Sequence, residues 1–177
     1  AFIVALVLFM AGYLPPEQIM FLGLLWWTLA LIFVLRFPAL ERIWSSQIVV
    51  LLIGFLALVP GWVALVELKL LADSSYLICF LFFLIWGADI GAYFFGRSLG
   101  RFKLAANVSP GKTWEGFCGG LLMVLMIATG MSFWFGRPDL LTSDGLVLLG
   151  LSLFIGMISA LGDLTISMFK RKRRIKD

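Results

Sequence analysis

Residues 48–66, IVVLLIGFLALVPGWVALV, carry no charged side chain. No other feature constrains the fold more, because about 20 apolar residues in a helix cross the hydrocarbon core of a bilayer. Five comparable runs accompany it, at 1–14, 19–35, 76–95, 116–135 and 145–168. Hydrophobic residues fill 62% of the 177 positions, well above the roughly half that soluble domains carry, so this chain cannot hide its apolar surface in a water-facing core. In lipid each crossing must satisfy its own backbone groups, which makes it a helix. The sequence therefore predicts an all-α polytopic membrane protein of about six transmembrane helices, forming a single domain over 1–177. The chain begins at Ala1 inside an apolar run and stops at Asp177 inside a charged one, so the reading expects a piece of a longer membrane domain. Residues 1–14 lack the basic leader and small-residue cleavage site of a signal peptide.

The connections are short and hold most of the charge. Of the 14 Lys and Arg residues, all but Lys69 and Arg137 fall in one alternating set: the 36–47 loop, the 96–115 loop and the tail after 168. The excess of basic residues predicts that this set is cytoplasmic. The chain has no histidine, which removes the commonest general base and transition-metal ligand. Cys79 and Cys118 both lie in apolar runs and predict neither a disulfide nor a metal site. Any metal would be hard and oxygen-bound.

Asp89 and Asp163 sit inside apolar runs, in IWGADIGAYFFGR and ISALGDLTISMFKR. A charge at mid-bilayer costs at least ~2.5 kcal/mol on insertion scales, so each needs a partner, a wet cavity or a chemical task. Asp89 precedes Arg97 by eight residues and Asp163 precedes Lys170 by seven. At the helical rise, both lie about 10–12 Å below the basic layer. Two carboxylates at one depth, facing one pocket, can hold a divalent cation and leave positions for phosphate oxygens. The plainer alternative is hydrogen bonding or Arg pairing inside the bundle. Ser159, Asp163 and Ser167 recur every four residues and form one polar stripe, and Trp86, Asp89, Tyr93 and Arg97 form another. Local bonding to backbone carbonyls would equally explain the serines.

The segment ANVSPGKTWEG (106–116) nearly matches the phosphate-loop pattern GxxxxGK[ST], but Ala106 replaces the first glycine and no strand is expected before it, so a P-loop fold is rejected. Ser109-Pro110 instead reads as a helix start, Ser at the N-cap and Pro at the first helical position. Its free N–H groups, with Lys112, would favour an anion. A plain capped helix with a positive-inside lysine fits the same residues. The tail KRKRRIKD satisfies the positive-inside rule or attracts anionic head groups. GADIG at 87–91 and GFCGG at 116–120 place glycines four apart, as close helix packing does, and are assigned to packing.

Ser167-Met168-Phe169-Lys170-Arg171, then Lys176-Asp177 after four residues, resembles the opening of the signature of the phosphatidate cytidylyltransferase (CDP-diacylglycerol synthase) family. GADIGAYFFGR and SPGKTWEG are similar to two further blocks of that family, and GDLTISMFKR to its last helix. The similarity is strong over 86–120 and 156–177. It implies a polytopic membrane enzyme of the bacterial-type inner (cell) membrane, a homodimer with its site open to the cytoplasm. The implied reaction joins phosphatidate and CTP into CDP-diacylglycerol and pyrophosphate, requires Mg²⁺, with room for a second cation, and involves membrane lipid but no nucleic acid. Two departures stand out. The family signature continues beyond the Lys-Asp pair into Gly-, His- and Asp-containing stretches that lie past Asp177, and Gly111 stands where many members have lysine.

Residue spacing and resemblance together point to Asp163 as a metal ligand, with Asp89 ligating a second cation or orienting the first. Lys112 and Lys170 join Asp163 as the catalytic set, and Lys112, Lys170 and Arg171 hold phosphates. The resemblance adds Ser109, Thr113, Ser167, Lys176 and Asp177 to the substrate-binding set. The phosphatidate phosphate would attack the α-phosphorus of CTP in line. A phosphate monoester is already mostly ionised near pH 7, so no strong general base is required, in keeping with the missing histidine. Catalysis would rest on positioning and charge stabilisation. Three other readings are a CTP-dependent lipid kinase, which releases CDP instead of pyrophosphate, a non-enzymatic transporter, for which intramembrane carboxylates are also expected, and a purely structural membrane piece.

Overall fold

The computed structural model describes residues 15–40, 46–135 and 142–172, with side chains through Arg171. The expected first crossing at 1–14, and Lys176 and Asp177, lie outside the described residues. Among the described residues five helices occur: α1 (Pro16–Leu35), α2 (Gln47–Leu70), α3 (Ser74–Leu99), α4 (Trp114–Trp134) and α5 (Ser143–Lys172). Each is long and apolar enough to cross a membrane, and the chain is an integral membrane protein. The outward faces are as greasy as the packed ones: Leu51, Leu58 and Phe133 are exposed, as lipid-facing residues are.

The chain divides into two compact units, residues 1–78 and 79–177. In the first, α1 starts where Pro15 and Pro16 preset the backbone, and stops at Arg36, two residues before Pro38. The Ser46 hydroxyl caps α2 by accepting from the Ile48 N–H at 3.3 Å. The two helices meet around Ile19, Val59 and Val63, with Phe55 packed alongside. Their closest approach is Gly23 on Pro60, where an added Cβ would lie 2.7 Å from the proline ring.

The second unit holds α4, α5 and most of α3. Its core gathers Phe80, Leu84 and Ala88 of α3 with Val124 and Ala128 of α4, and Leu148, Leu149 and Ile155 of α5 pack against it. α3 and α4 touch through backbone. A Cβ on Gly91 would meet the Gly119 carbonyl at 2.6 Å, and one on Gly120 the Ala88 carbonyl at 2.7 Å. These are the glycines that the sequence assigned to packing, and only glycine lets two helices approach this closely. Two hydroxyls inside the unit bond locally: Ser152 and Thr165 each donate to the carbonyl four residues back, at 2.8 Å.

Between α3 and α4 the chain forms a short antiparallel hairpin, β1 (Lys103–Ala105) and β2 (Ser109–Thr113), with an irregular register between Lys103 and Ala105. The hairpin corrects two expectations. Ser109-Pro110 does not start a helix, because Ser109 pairs with Ala105 in the ribbon. Thr113 is the cap instead, accepting from the Gly116 N–H at 3.1 Å, with Glu115 in the first turn. A strand does precede the near-match to the phosphate loop, but residues 106–108 are the ribbon's turn and Ser109–Thr113 its second strand, not a loop wrapped round a phosphate, so the P-loop fold stays rejected. Pro110 is tolerated because a two-stranded ribbon leaves edge positions where its missing N–H costs nothing.

Candidate active site

The ends of α3 and α5 and the start of α4 meet beneath the hairpin, and a cavity of about 520 Å³ opens among them. Its walls follow from helical spacing. Ala88, Ala92 and Gly96 on α3, Gly116 and Gly120 on α4, and Gly156 and Ala160 on α5 recur every four residues, so one narrow face of each helix turns inward. All are glycine or alanine, so close packing and an open chamber come from the same residues. The sequence reading gave Gly116 and Gly120 packing alone and missed that they also help leave the void.

Four charged side chains line the chamber: Asp89 and Arg97 from α3, Lys112 from β2 and Asp163 from α5. The Lys112 ammonium is ion-paired with the Asp163 carboxylate, and Asp89 lies within electrostatic reach of both. The pair is partly solvated, with side-chain exposures of 25% for Lys112 and 56% for Asp163, so it belongs to a wet chamber rather than a dry core. Tyr93 and Arg97 form a second pair at the rim. The Arg97 guanidinium donates to the Tyr93 hydroxyl at 2.6 Å and sits 5.9 Å from the ring centroid.

The hairpin that carries Lys112 is fixed at both ends. At its base the Glu115 carboxylate accepts from the Phe102 N–H at 3.2 Å, and the Trp114 N–H donates to the Phe102 carbonyl at 2.9 Å. At its tip the turn closes by a Val108 N–H to Ala105 carbonyl bond of 3.1 Å. Val108 is buried, and its carbonyl accepts from Arg171 Nε at 3.3 Å. Thr113 lines the cavity while capping α4.

The sequence-selected residues thus divide. Asp89, Lys112, Thr113 and Asp163 line one chamber. Ser109 is half-buried in the ribbon, Ser167 half-buried on α5, and Lys170 exposed; none of the three lines the chamber. Ser159 and Trp86 of the two stripes also lie outside the lining, and Trp86 instead stacks on Phe82. Arg171 holds the hairpin carbonyl. Sequence reasoning named Arg97 only for the basic layer and the stripe, and did not single out Glu115. The Tyr-x-x-x-Arg spacing, which places phenol and guanidinium one turn apart, was the available signal for the first.

Asp89 and Asp163 bring two hard oxygen donors to one chamber from different helices, and no group of three or more acidic, His or Cys side chains occurs among the described residues. That set is too sparse to cage a cation alone. It fits Mg²⁺, which commonly takes one or two carboxylates and completes its shell with water and substrate phosphates. Cys79 and Cys118 are free thiols.

A model of the cytidylyltransferase family matches residues 1–177. The chain is 44% identical over 97% of its length to a protein of Pseudomonas aeruginosa named phosphatidate cytidylyltransferase, covering 63% of that protein. It is 39% identical over 86% of its length to one of the same name from Haemophilus influenzae, covering 55% of it. A Rickettsia bellii protein, again so named, is 37% identical over 75% of the chain and is 58% covered. The chain therefore spans little more than half the length of these relatives. No solved structure matches it.

Proposed function

We propose that this chain, which belongs to the cytidylyltransferase family, carries the membrane-embedded part of a site that transfers a cytidylyl group from CTP to phosphatidate, giving CDP-diacylglycerol and pyrophosphate. The observation that carries the reading is the meeting of Asp89, Asp163 and Lys112 in one chamber at the end of the bundle. A lipid substrate needs a site reachable from the bilayer, and a triphosphate needs one reachable from water with cations to receive it. The names of the relatives support the choice of substrates.

Asp89 and Asp163 would hold Mg²⁺, which supplies charge neutralisation along the triphosphate. Lys112 would exchange its carboxylate partner for a phosphate oxygen of bound nucleotide. The hairpin keeps Lys112 over the chamber, and the small wall residues leave room for the reacting phosphates. No residue of the chamber is required as a strong base, since the attacking phosphate is mostly ionised near pH 7. The cytoplasmic side for the hairpin end, the inner membrane and a homodimer belong to the same proposal, the first resting on the bias of Lys and Arg toward that end.

The test is incubation of the full-length protein with phosphatidate, Mg²⁺ and CTP labelled separately at the α- and γ-phosphates. The expected result is α-label in a lipid product and γ-label in pyrophosphate. Transfer of the γ-label to lipid would make it a CTP-dependent kinase, and CTP consumption unaffected by phosphatidate would overturn the reading.

A further inference from the structure

On the outer side of the last turns of α3 lies a second groove, formed by Tyr93, Phe94, Phe95, Arg97, Ser98 and Leu99. Tyr93 and Arg97 line both this groove and the chamber. Phe94 and Leu99 are exposed apolar side chains on a membrane-spanning helix, so acyl chains are their natural neighbours. One phenol–guanidinium pair thus separates a greasy groove from a chamber of carboxylates.

Arg97 is poised to bind an anion. Among the described residues it meets no carboxylate; its interactions are the hydrogen bond to the Tyr93 hydroxyl and the stack over the same ring. The guanidinium carries five N–H donors in a fixed fork, of which that bond uses one. Tyr93 therefore orients the fork and leaves most of it open to paired phosphate oxygens.

Resting on the reading above, we infer that Tyr93 and Arg97 form the head-group subsite for the lipid substrate, binding a phosphate monoester whose acyl chains lie in the groove of Phe94, Phe95 and Leu99. Arg97 selects an anion, and the continuity of the chamber with the apolar groove favours a lipid phosphate over a nucleotide phosphate. A head group held here would present its free oxygens to the chamber while the chains stay in the bilayer. Arg97 would contact the substrate, and Tyr93 would act through Arg97 as a positioning residue.

The experiment measures binding without turnover. Full-length protein in detergent micelles is titrated with dioctanoyl phosphatidate by calorimetry, with no nucleotide present, and CTP binding with Mg²⁺ is measured separately. Arg97→Gln should weaken phosphatidate binding about 10- to 100-fold, the usual loss for a charge-assisted contact, and leave CTP binding within twofold. Arg97→Lys should fall between, and Tyr93→Phe should weaken phosphatidate a few-fold with CTP binding kept. Glycerol 3-phosphate, which has the head group without chains, should bind at least about tenfold more weakly than dioctanoyl phosphatidate. Unchanged phosphatidate affinity in Arg97→Gln overturns the subsite. A loss confined to CTP assigns the cation to the nucleotide and overturns it as well. Kept CTP binding shows that a variant is folded. Because the titration needs no reaction, a wild-type protein that binds phosphatidate through Arg97 but transfers no cytidylyl group would sink the proposed activity and spare the subsite.

Discussion

Lys112, on the second strand of the hairpin, is ion-paired with Asp163 on α5, about fifty residues further along the chain. The contact joins the roof of the chamber to its wall. Because both side chains are partly solvated, the pair adds little to stability, under ~1 kcal/mol for such ion pairs. Its worth lies in holding an ammonium beside a carboxylate where phosphate is proposed to bind. Lys112→Met should leave the unfolding transition nearly unchanged and lower turnover by about 100-fold or more, the usual loss of a preorganised donor at developing charge. Thermal unfolding beside a transfer assay checks it. A large drop in stability with activity kept would assign the lysine to the fold.

Replacing the carboxylates separates function from architecture by sign. An aspartate inside a crossing costs about 2.5–3.5 kcal/mol on insertion scales, so Asp89→Asn and Asp163→Asn should leave the bundle equally or more stable while abolishing Mg²⁺-dependent turnover. Denaturation in detergent and product formation are the two measurements. Lower stability in both variants would mean that the carboxylates are structural.

The contact between α3 and α4 predicts a steric penalty. In Gly91→Ala the new methyl meets the Gly119 carbonyl and the Gly120 Cα, neither of which can rotate away. The helices would have to part, at a cost of roughly 1–3 kcal/mol for overpacking. Gly130→Ala, on α4 with nothing within 4 Å of the added methyl, is the control and should be neutral or mildly stabilising.

Gly111 lines the chamber beside Lys112, and an added Cβ there meets nothing within 4 Å. Gly111→Lys should therefore add a second ammonium near the roof, with no clash at its Cβ. It should lower the KM for CTP by roughly 3- to 10-fold at low salt, an advantage that shrinks as ionic strength rises. A KM that does not change with salt would place the triphosphate away from the roof.

Arg171 is bonded to the Val108 carbonyl at the hairpin tip. Arg171→Ala should speed amide exchange over residues 103–113 and raise the KM for CTP, whereas loss of a phosphate contact alone would raise the KM and leave exchange unchanged. Hydrogen–deuterium exchange on the ligand-free protein tells the two apart.

The crossings were legible because hydropathy dictates them. The expected run at 76–95 became Ser74–Leu99, and that at 145–168 became Ser143–Lys172. The helices run past the apolar stretches because Arg97 and Lys170 are good helix formers whose charges sit at the ends. The two aspartates were legible because a carboxylate in an apolar run has few uses. The hairpin was not. Its strands are three and five residues long, SPGKT has no alternation of apolar and polar residues, and Ser109-Pro110 imitates a helix start. What decides it is tertiary: Val108 buried under Arg171, and Glu115 closing on the Phe102 N–H. For the same reason the sequence did not show that Arg171, read as a phosphate holder, also donates its Nε–H to the Val108 carbonyl of the hairpin.

The glycine seam between α3 and α4 has a mechanical consequence. Two rods that touch through their main chains have no compliant layer between them, so they lean together when the surrounding bilayer thins or thickens. Asp89 then moves with the start of α4 and the root of the hairpin as one stiff body.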